Sequence, residues 1–119
     1  MVETEKRLAE AGIQLPPAPK PAANYRPSQR SGDLLYLSGH LPMKDDGSLV
    51  TGCIGLGDNT VEHGYQAARQ VGLNLIATLK QELGDLDRVE QIVKLFGIVQ
   101  SDATFHEQHK VVNGTSTLT

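Results

Sequence analysis

The sequence has a single cysteine, Cys53, and no tryptophan; three tyrosines and two phenylalanines are its only aromatic residues. One cysteine excludes an intrachain disulfide and a thiolate metal cluster within one subunit, and it suits a reducing, cytoplasmic compartment. No uninterrupted apolar stretch approaches the roughly 20 residues of a spanning helix, so no membrane span is expected. The opening MVETEKRLAEAG carries both signs of charge and leads into no apolar run, so no signal peptide is expected either. Basic excess is lacking too: 11 Lys and Arg stand against 14 Asp and Glu, for a formal charge of -3. With no basic stripe and few aromatic side chains, nucleic acid is a disfavoured partner. That balance leaves open an enzyme whose pocket holds a small anion through one or two local cations.

What remains is an ordinary globular composition, 39% hydrophobic and 21% charged over 119 residues, enough for one modest core. Aliphatic side chains must supply most of it. So small a core gains from burying a face against a partner subunit.

Along the chain, Thr4 is a candidate N-cap for a short helix over 5–11, stopped by Gly12. Pro16, Pro17, Pro19 and Pro21 then exclude helix and central strand, leaving either a linker or an arm laid across the body. Residues 34–38 read as the best strand, after a Ser31-Gly32-Asp33 turn, and Asp45-Asp46-Gly47 reads as the turn of a following hairpin. Four backbone specialists, Gly52, Gly55, Gly57 and Asn59, lie before the long helix, but their spacing is not that of a phosphate-binding loop.

That helix spans 60–83, capped by Asp58, Asn59 or Thr60 and stopped by Gly84. Its apolar stripe runs through Ala68, Val71 or Gly72, Leu75 or Ile76, Leu79 and Leu83. Gly64 and Gly72 each cost the helix about 1 kcal/mol relative to Ala, which points to close approach of a sheet or another chain. A second strong strand is expected over 89–99. Ser101 or Asp102 would cap a last helix reaching about Val112, with Asn113-Gly114 as its stop. Helix, arm, hairpin, helix, strand and helix in that order predict a layered α+β fold.

Several strings in this order resemble the RidA (YjgF) family: YRPSQ from Tyr25, RSG from Arg30, DLLYLSGHLP from Asp33, DDGSLV from Asp45, AARQVGLNLIATL from Ala67 and DLDRVEQIVKLFGIV from Asp85. The resemblance implies a chorismate mutase-like sheet with packed helices, assembly as a homotrimer and ligand clefts between subunits. It also implies hydrolysis of reactive 2-imino acids to 2-keto acids and ammonia, with no cofactor and no metal; the alternative is a non-catalytic small-ligand or protein-binding member, and some relatives are described as endoribonucleases. The implied partner is a small carboxylate-bearing metabolite. Matched position by position, Tyr25 and Gly39 fall on the catalytic cleft positions, and Tyr25, Gly39, His40 and Arg30 on substrate-binding ones. His40 stands where relatives usually carry Gln, and Ala103 falls near an Asn of the family pattern. The family's closing strands, with their Arg and Glu, would follow Thr119. The chain is therefore expected to be an N-terminal helix and proline arm over 1–23, followed by a C-terminally incomplete domain over 24–119.

The other reactive side chains have plain readings beside functional ones. Tyr25 is a cleft ring or a packing ring, Gly39 a point of ligand approach or a strand-end glycine, and Arg30 a ligand contact or a surface ion pair. His40 is a cleft donor or a satisfied surface histidine. His106 and His109 would share a helix face but lack a third metal ligand, His63 stands alone on the long helix, and Cys53 is hydrophobic filler or a thiol.

Overall fold

The computed structural model describes residues 3–18, 26–57 and 59–118. Its longest element is the helix Val61–Leu83, which the two expected punctuators bound. Thr60 is extended, with φ -85° and ψ 172°, and its hydroxyl accepts the His63 N–H at 3.2 Å. Gly84, at φ 79°, closes the other end by donating to the Lys80 carbonyl at 2.8 Å. In chain order the α-helices are α1 (Glu3–Glu10), α2 (Val61–Leu83) and α3 (Gln108–Ser116). The strands are β1 (Ser28–Ser31) and β2 (Leu34–Leu37), and one 3₁₀ turn covers Leu86–Arg88.

β1 and β2 pair antiparallel, with Ser28 opposite Leu37 and Ser31 opposite Leu34. The hairpin therefore closes at Gly32-Asp33, one turn earlier than expected, and Gly32 supplies the positive φ of 60° that a two-residue connection needs there. β1 escaped the sequence reading because Ser-Gln-Arg-Ser has no apolar alternation; it is held by its ladder and not by burial. The Asp45–Gly47 turn closes only a single bridge, Met43 to Leu49.

The second expected strand is a correction as well. Residues 89–100 carry no strand, and among the described residues no backbone hydrogen bond ties 90–99. Phe96 is 77% exposed and Ile98 87%. The β-branched composition favours a pleated surface, but a strand exists only where a neighbour pairs with it. The one link at its far end is a parallel bridge in which the Ile54 N–H reaches Gln100 O and the Asp102 N–H reaches Ile54 O, both at 2.9 Å.

The last helix starts at Gln108, six residues later than a Ser101 cap implies, and runs straight through Asn113-Gly114. Gly114 is no stop signal. It is buried because α3 lies directly on α2: a Cβ there would stand 2.1 Å from the Tyr65 carbonyl oxygen. Gly64 and Gly72 serve the same seam, where added Cβ atoms would meet Val111 and Ile54, and Leu118 and Thr115. The close approach inferred for these glycines is thus made by the chain's own α3, and the Thr115 hydroxyl joins it by donating to the Ala68 carbonyl. The buried positions of α2 are Gly64, Gly72, Asn74, Ala77 and Thr78, while the large aliphatics of the expected stripe are only half-buried.

α1 begins at Glu3, ahead of the expected Thr4 cap, because its N-terminus is capped from a distance. The Asp87 carboxylate accepts the Glu3 N–H at 2.9 Å and the Thr4 N–H at 2.8 Å, a favourable charge at the positive end of the helix. Gly12 ends it as expected, at φ 72°, with Gly12 N–H to Ala9 O and Ile13 N–H to Leu8 O in the crossed pattern of a Schellman cap. An ion pair from Lys80 to Glu5 adds a second tie to the body. The first arm residues follow: Pro16 is buried, and Leu15, Pro16 and Ala18 share a shallow groove with Ala77, Lys80 and Gln81. Pro19, Pro21 and the alternative cap Asp58 lie outside the described residues.

Hydrogen bonds from the Thr4 hydroxyl, then the Thr4 and Glu3 N–H groups, hold the Asp87 carboxyl below its ordinary value. A depressed folded value stabilises docking above the ordinary carboxylate pKa, near 3.9, and that contribution is lost as pH falls through the lower folded value. Acidification below about pH 4 is therefore expected to release α1 before the rest unfolds. Amide exchange at residues 3–10 reads this, and Asp87→Asn should reduce its acid dependence; unchanged protection down to global unfolding would refute it.

Candidate functional site

β2 ends at Leu37, and the next residues leave the hairpin in a direction set by α2. Ser38 closes the ladder: its N–H reaches the Pro27 carbonyl at 3.0 Å and its hydroxyl the same oxygen at 3.2 Å. Two residues later the His40 ring lies between two partners, Ser38 O at 2.8 Å from Nδ1 and the Thr78 hydroxyl at 2.7 Å from Nε2. A carbonyl oxygen can only accept, so Nδ1 carries the proton, and in the neutral ring Nε2 accepts from Thr78.

One turn earlier on α2, Asn74 performs a similar task. Its amide donates to Leu41 O at 3.0 Å and Met43 O at 2.9 Å, while its oxygen accepts from Gln70 Nε2 at 3.2 Å. Asn74 is 2% exposed and Thr78 1%, which makes these polar side chains the most deeply buried large ones among the described residues. A buried amide or hydroxyl is costly unless paired, and here the available partners are backbone atoms of 38–43 and the ring that follows Gly39.

Gly39 sits at the centre of this pinned segment on its open side, with nothing within 4 Å of where a Cβ would stand. Among the described residues the N–H groups of Gly39, His40 and Leu41 find no acceptor. They form a small set of unengaged donors beside open space, suited to an oxygen of an anionic or carbonyl ligand.

The other sequence candidates stand elsewhere. Arg30 is exposed on β1 opposite Leu35, with its Nε donating to Gly32 O at 3.0 Å. At about 3.3 Å per strand residue, that is on the order of 13 Å along the strand from Gly39, so the two are not brought together. Tyr25 lies outside the described residues. His63 donates through Nε2 to Thr51 O at 2.9 Å, and Cys53 is a half-buried free thiol. His106 precedes α3 while His109 lies within it, so they do not share a helical face. Among the described residues no three His, Cys, Asp or Glu side chains are grouped to hold a metal ion. No described helix is long and apolar enough to cross a membrane.

Asn74 and Thr78 were missed in the sequence. Their signal was a polar pair four apart beside the apolar stripe of α2, which reads there as ordinary helix surface.

A two-stranded hairpin whose outgoing segment 38–43 is pinned to one long helix by buried polar groups, with α3 packed on that helix, defines an α+β domain. The chain belongs to the family described as "YjgF/chorismate mutase-like, putative endoribonuclease", whose model matches residues 5–119. It is similar to Protein TCP17 of Trypanosoma cruzi, at 44% identity over 111 residues, covering 93% of this chain and 69% of that protein. A crystal structure titled as a "putative endoribonuclease" from Shewanella oneidensis superposes with a TM-score of 0.90 at 39% identity, covering 97% of this chain and 76% of that one. A protein with unknown function from Agrobacterium tumefaciens gives 0.83 at 44% identity, covering 97% and 70%.

Proposed function

We propose that the protein hydrolyses small, reactive 2-imino acids to 2-keto acids and ammonia, in a cleft completed between the subunits of a cytoplasmic homotrimer. The observation that carries this reading is the strand end at Gly39: unengaged N–H groups, open space and a backbone held in place from behind. Family membership adds the expectation that ligands sit at this strand end. The exposed Val93, Phe96 and Ile98 supply apolar surface for a subunit contact.

In the reaction, water adds to C2 of the iminium and forms the new C–O bond, with the π pair moving to nitrogen. A proton passes from the added water to that nitrogen; the C–N bond then breaks, its electron pair leaving with ammonia, and the hydroxyl proton is shed as C=O forms. Electrons balance without an oxidant or reductant. The enzyme's task is to orient the substrate and shuttle protons. The N–H groups of Gly39 and His40 would hold a substrate oxygen. The His40 ring is not free for this, since both nitrogens are committed to Ser38 and Thr78. Tyr25 is the hydroxyl that the family resemblance assigns to the cleft. RNA cleavage is the lesser reading for this chain, whose formal charge of -3 opposes backbone binding.

The test generates 2-iminobutanoate in situ with a pyridoxal-phosphate-dependent threonine dehydratase and follows 2-oxobutanoate release. A rate that rises in proportion to added protein, and is lost on heat denaturation, is expected. Light scattering should give a particle near three times 12.9 kDa. No acceleration at any protein concentration would reject the activity, and salt-sensitive cleavage of single-stranded RNA in its place would reassign it.

A further inference from the structure

We infer that Thr78 is a positioning residue of this site, acting through His40 to aim the Gly39 N–H, with Asn74 anchoring the far side of the same segment. The inference rests on the proposed reading of the strand end as the ligand site.

The relay has three physical steps. With Nδ1–H committed to a carbonyl, the Thr78 hydroxyl donates to Nε2 of the neutral His40 ring at 2.7 Å, which holds the ring's orientation. Nδ1–H then donates to the Ser38 carbonyl at 2.8 Å. That carbonyl and the Gly39 N–H belong to one planar trans peptide unit, so they point in opposite directions, and holding the first aims the second. The ring lies on the carbonyl side of that peptide, so the Gly39 N–H is turned away from it; separately, a Gly39 Cβ would meet nothing within 4 Å.

The neighbouring bonds keep the segment from drifting. Leu41 precedes Pro42, so the peptide between them has no N–H and offers only its carbonyl, which Asn74 takes together with Met43 O. Ser38 itself is tied to Pro27. Of the N–H groups between residues 38 and 43, those left without a described acceptor are Gly39, His40 and Leu41. Helix stability alone does not call for Asn or Thr at these places, since both are weaker helix formers than Leu or Ala. Both side chains instead spend their hydrogen bonds on the segment that carries the ligand donors.

The ligand class is a small 2-keto or 2-imino acid, presenting an oxygen to one aimed N–H. The experiment uses nitrogen-15 NMR on the intact protein, with 2-oxobutanoate as the probe. In the unsubstituted chain the His40 ring is expected in its Nδ1–H tautomer, and the Gly39 amide is expected to shift as 2-oxobutanoate is added. Thr78→Val, which keeps the shape and removes the hydroxyl, should leave the proton on Nδ1 but release the ring's orientation and displace the Gly39 resonance. It should also weaken 2-oxobutanoate binding about 3- to 10-fold, the worth of one ordinary hydrogen bond. Thr78→Ser should restore both.

An Nε2–H ring in the unsubstituted protein overturns the relay before any variant is made. So does a Thr78→Val protein whose Gly39 shift and affinity are unchanged, or a loss that Thr78→Ser does not repair. Failure of the proposed function looks different: the unsubstituted chain then neither binds 2-oxobutanoate nor turns over 2-iminobutanoate, while tautomer and Gly39 shift still report on the relay.

Discussion

Gly114→Ala should destabilise the protein by about 3 kcal/mol, a fall in Tm on the order of 12 °C for a chain of this length. Two effects oppose one another. Alanine in place of glycine favours a helix by about 1 kcal/mol. Against it, the new methyl would stand 2.1 Å from the Tyr65 carbonyl oxygen and 2.9 Å from the Arg69 nitrogen. Both are backbone atoms of α2 and have no rotamer to change, so the helices must separate, and the steric effect wins. Gly72→Ala is the internal control. Its nearest neighbour is the Leu118 Cδ1 at 2.8 Å, the end of a flexible side chain, with the Thr115 Cα next at 3.3 Å. There the propensity gain and the local adjustment should nearly cancel. Thermal unfolding of the two variants side by side checks the argument; equal Tm values would sink it.

Asn74→Leu should cost about 2 kcal/mol despite adding apolar volume to a buried site. The amide now serves two carbonyls, and its removal leaves Met43 O without its donor and Leu41 O with the Met43 N–H alone. An orphaned buried acceptor costs about 1 to 3 kcal/mol, and the gain from burying a leucine is about 2 kcal/mol only if the cavity accepts its shape. Asn74→Asp should be worse than Asn74→Leu, because a carboxylate cannot donate and would face two carbonyl oxygens at close range. Denaturant unfolding gives the order: Asn most stable, Leu next, Asp last. Asp ranking above Leu would show that water, and not the side-chain amide, satisfies those carbonyls.

These two residues also mark where sequence reading succeeds and where it stops. Thr60 and Gly84 announce the ends of α2, and Gly12 that of α1, because capping is local chemistry written in adjacent residues. The family strings were legible for the same reason, and the family model and superpositions carry them to the fold. Gly114 was misread because a glycine that ends a helix and one that admits another backbone look alike in one dimension. Residues 89–99 were misread because a strand needs a partner, and pairing is a property of two segments. At the site, Gly39 and His40 were singled out, but what holds them was not: the bonds from His40 to Thr78 and from Leu41 to Asn74 span 38 and 33 positions.

The glycine seam between α2 and α3 has a mechanical side. Helices packed through long side chains can slide, since rotamers re-seat as one ridge passes another. Gly64, Gly72 and Gly114 leave little to re-seat, and at Gly114 backbone rests on backbone. The pair should therefore move as a single lever. Asn74 and Thr78 project from a neighbouring face of the same α2, so a push on α3 by another subunit would arrive at the strand end as a rigid displacement, with little lost in the core between.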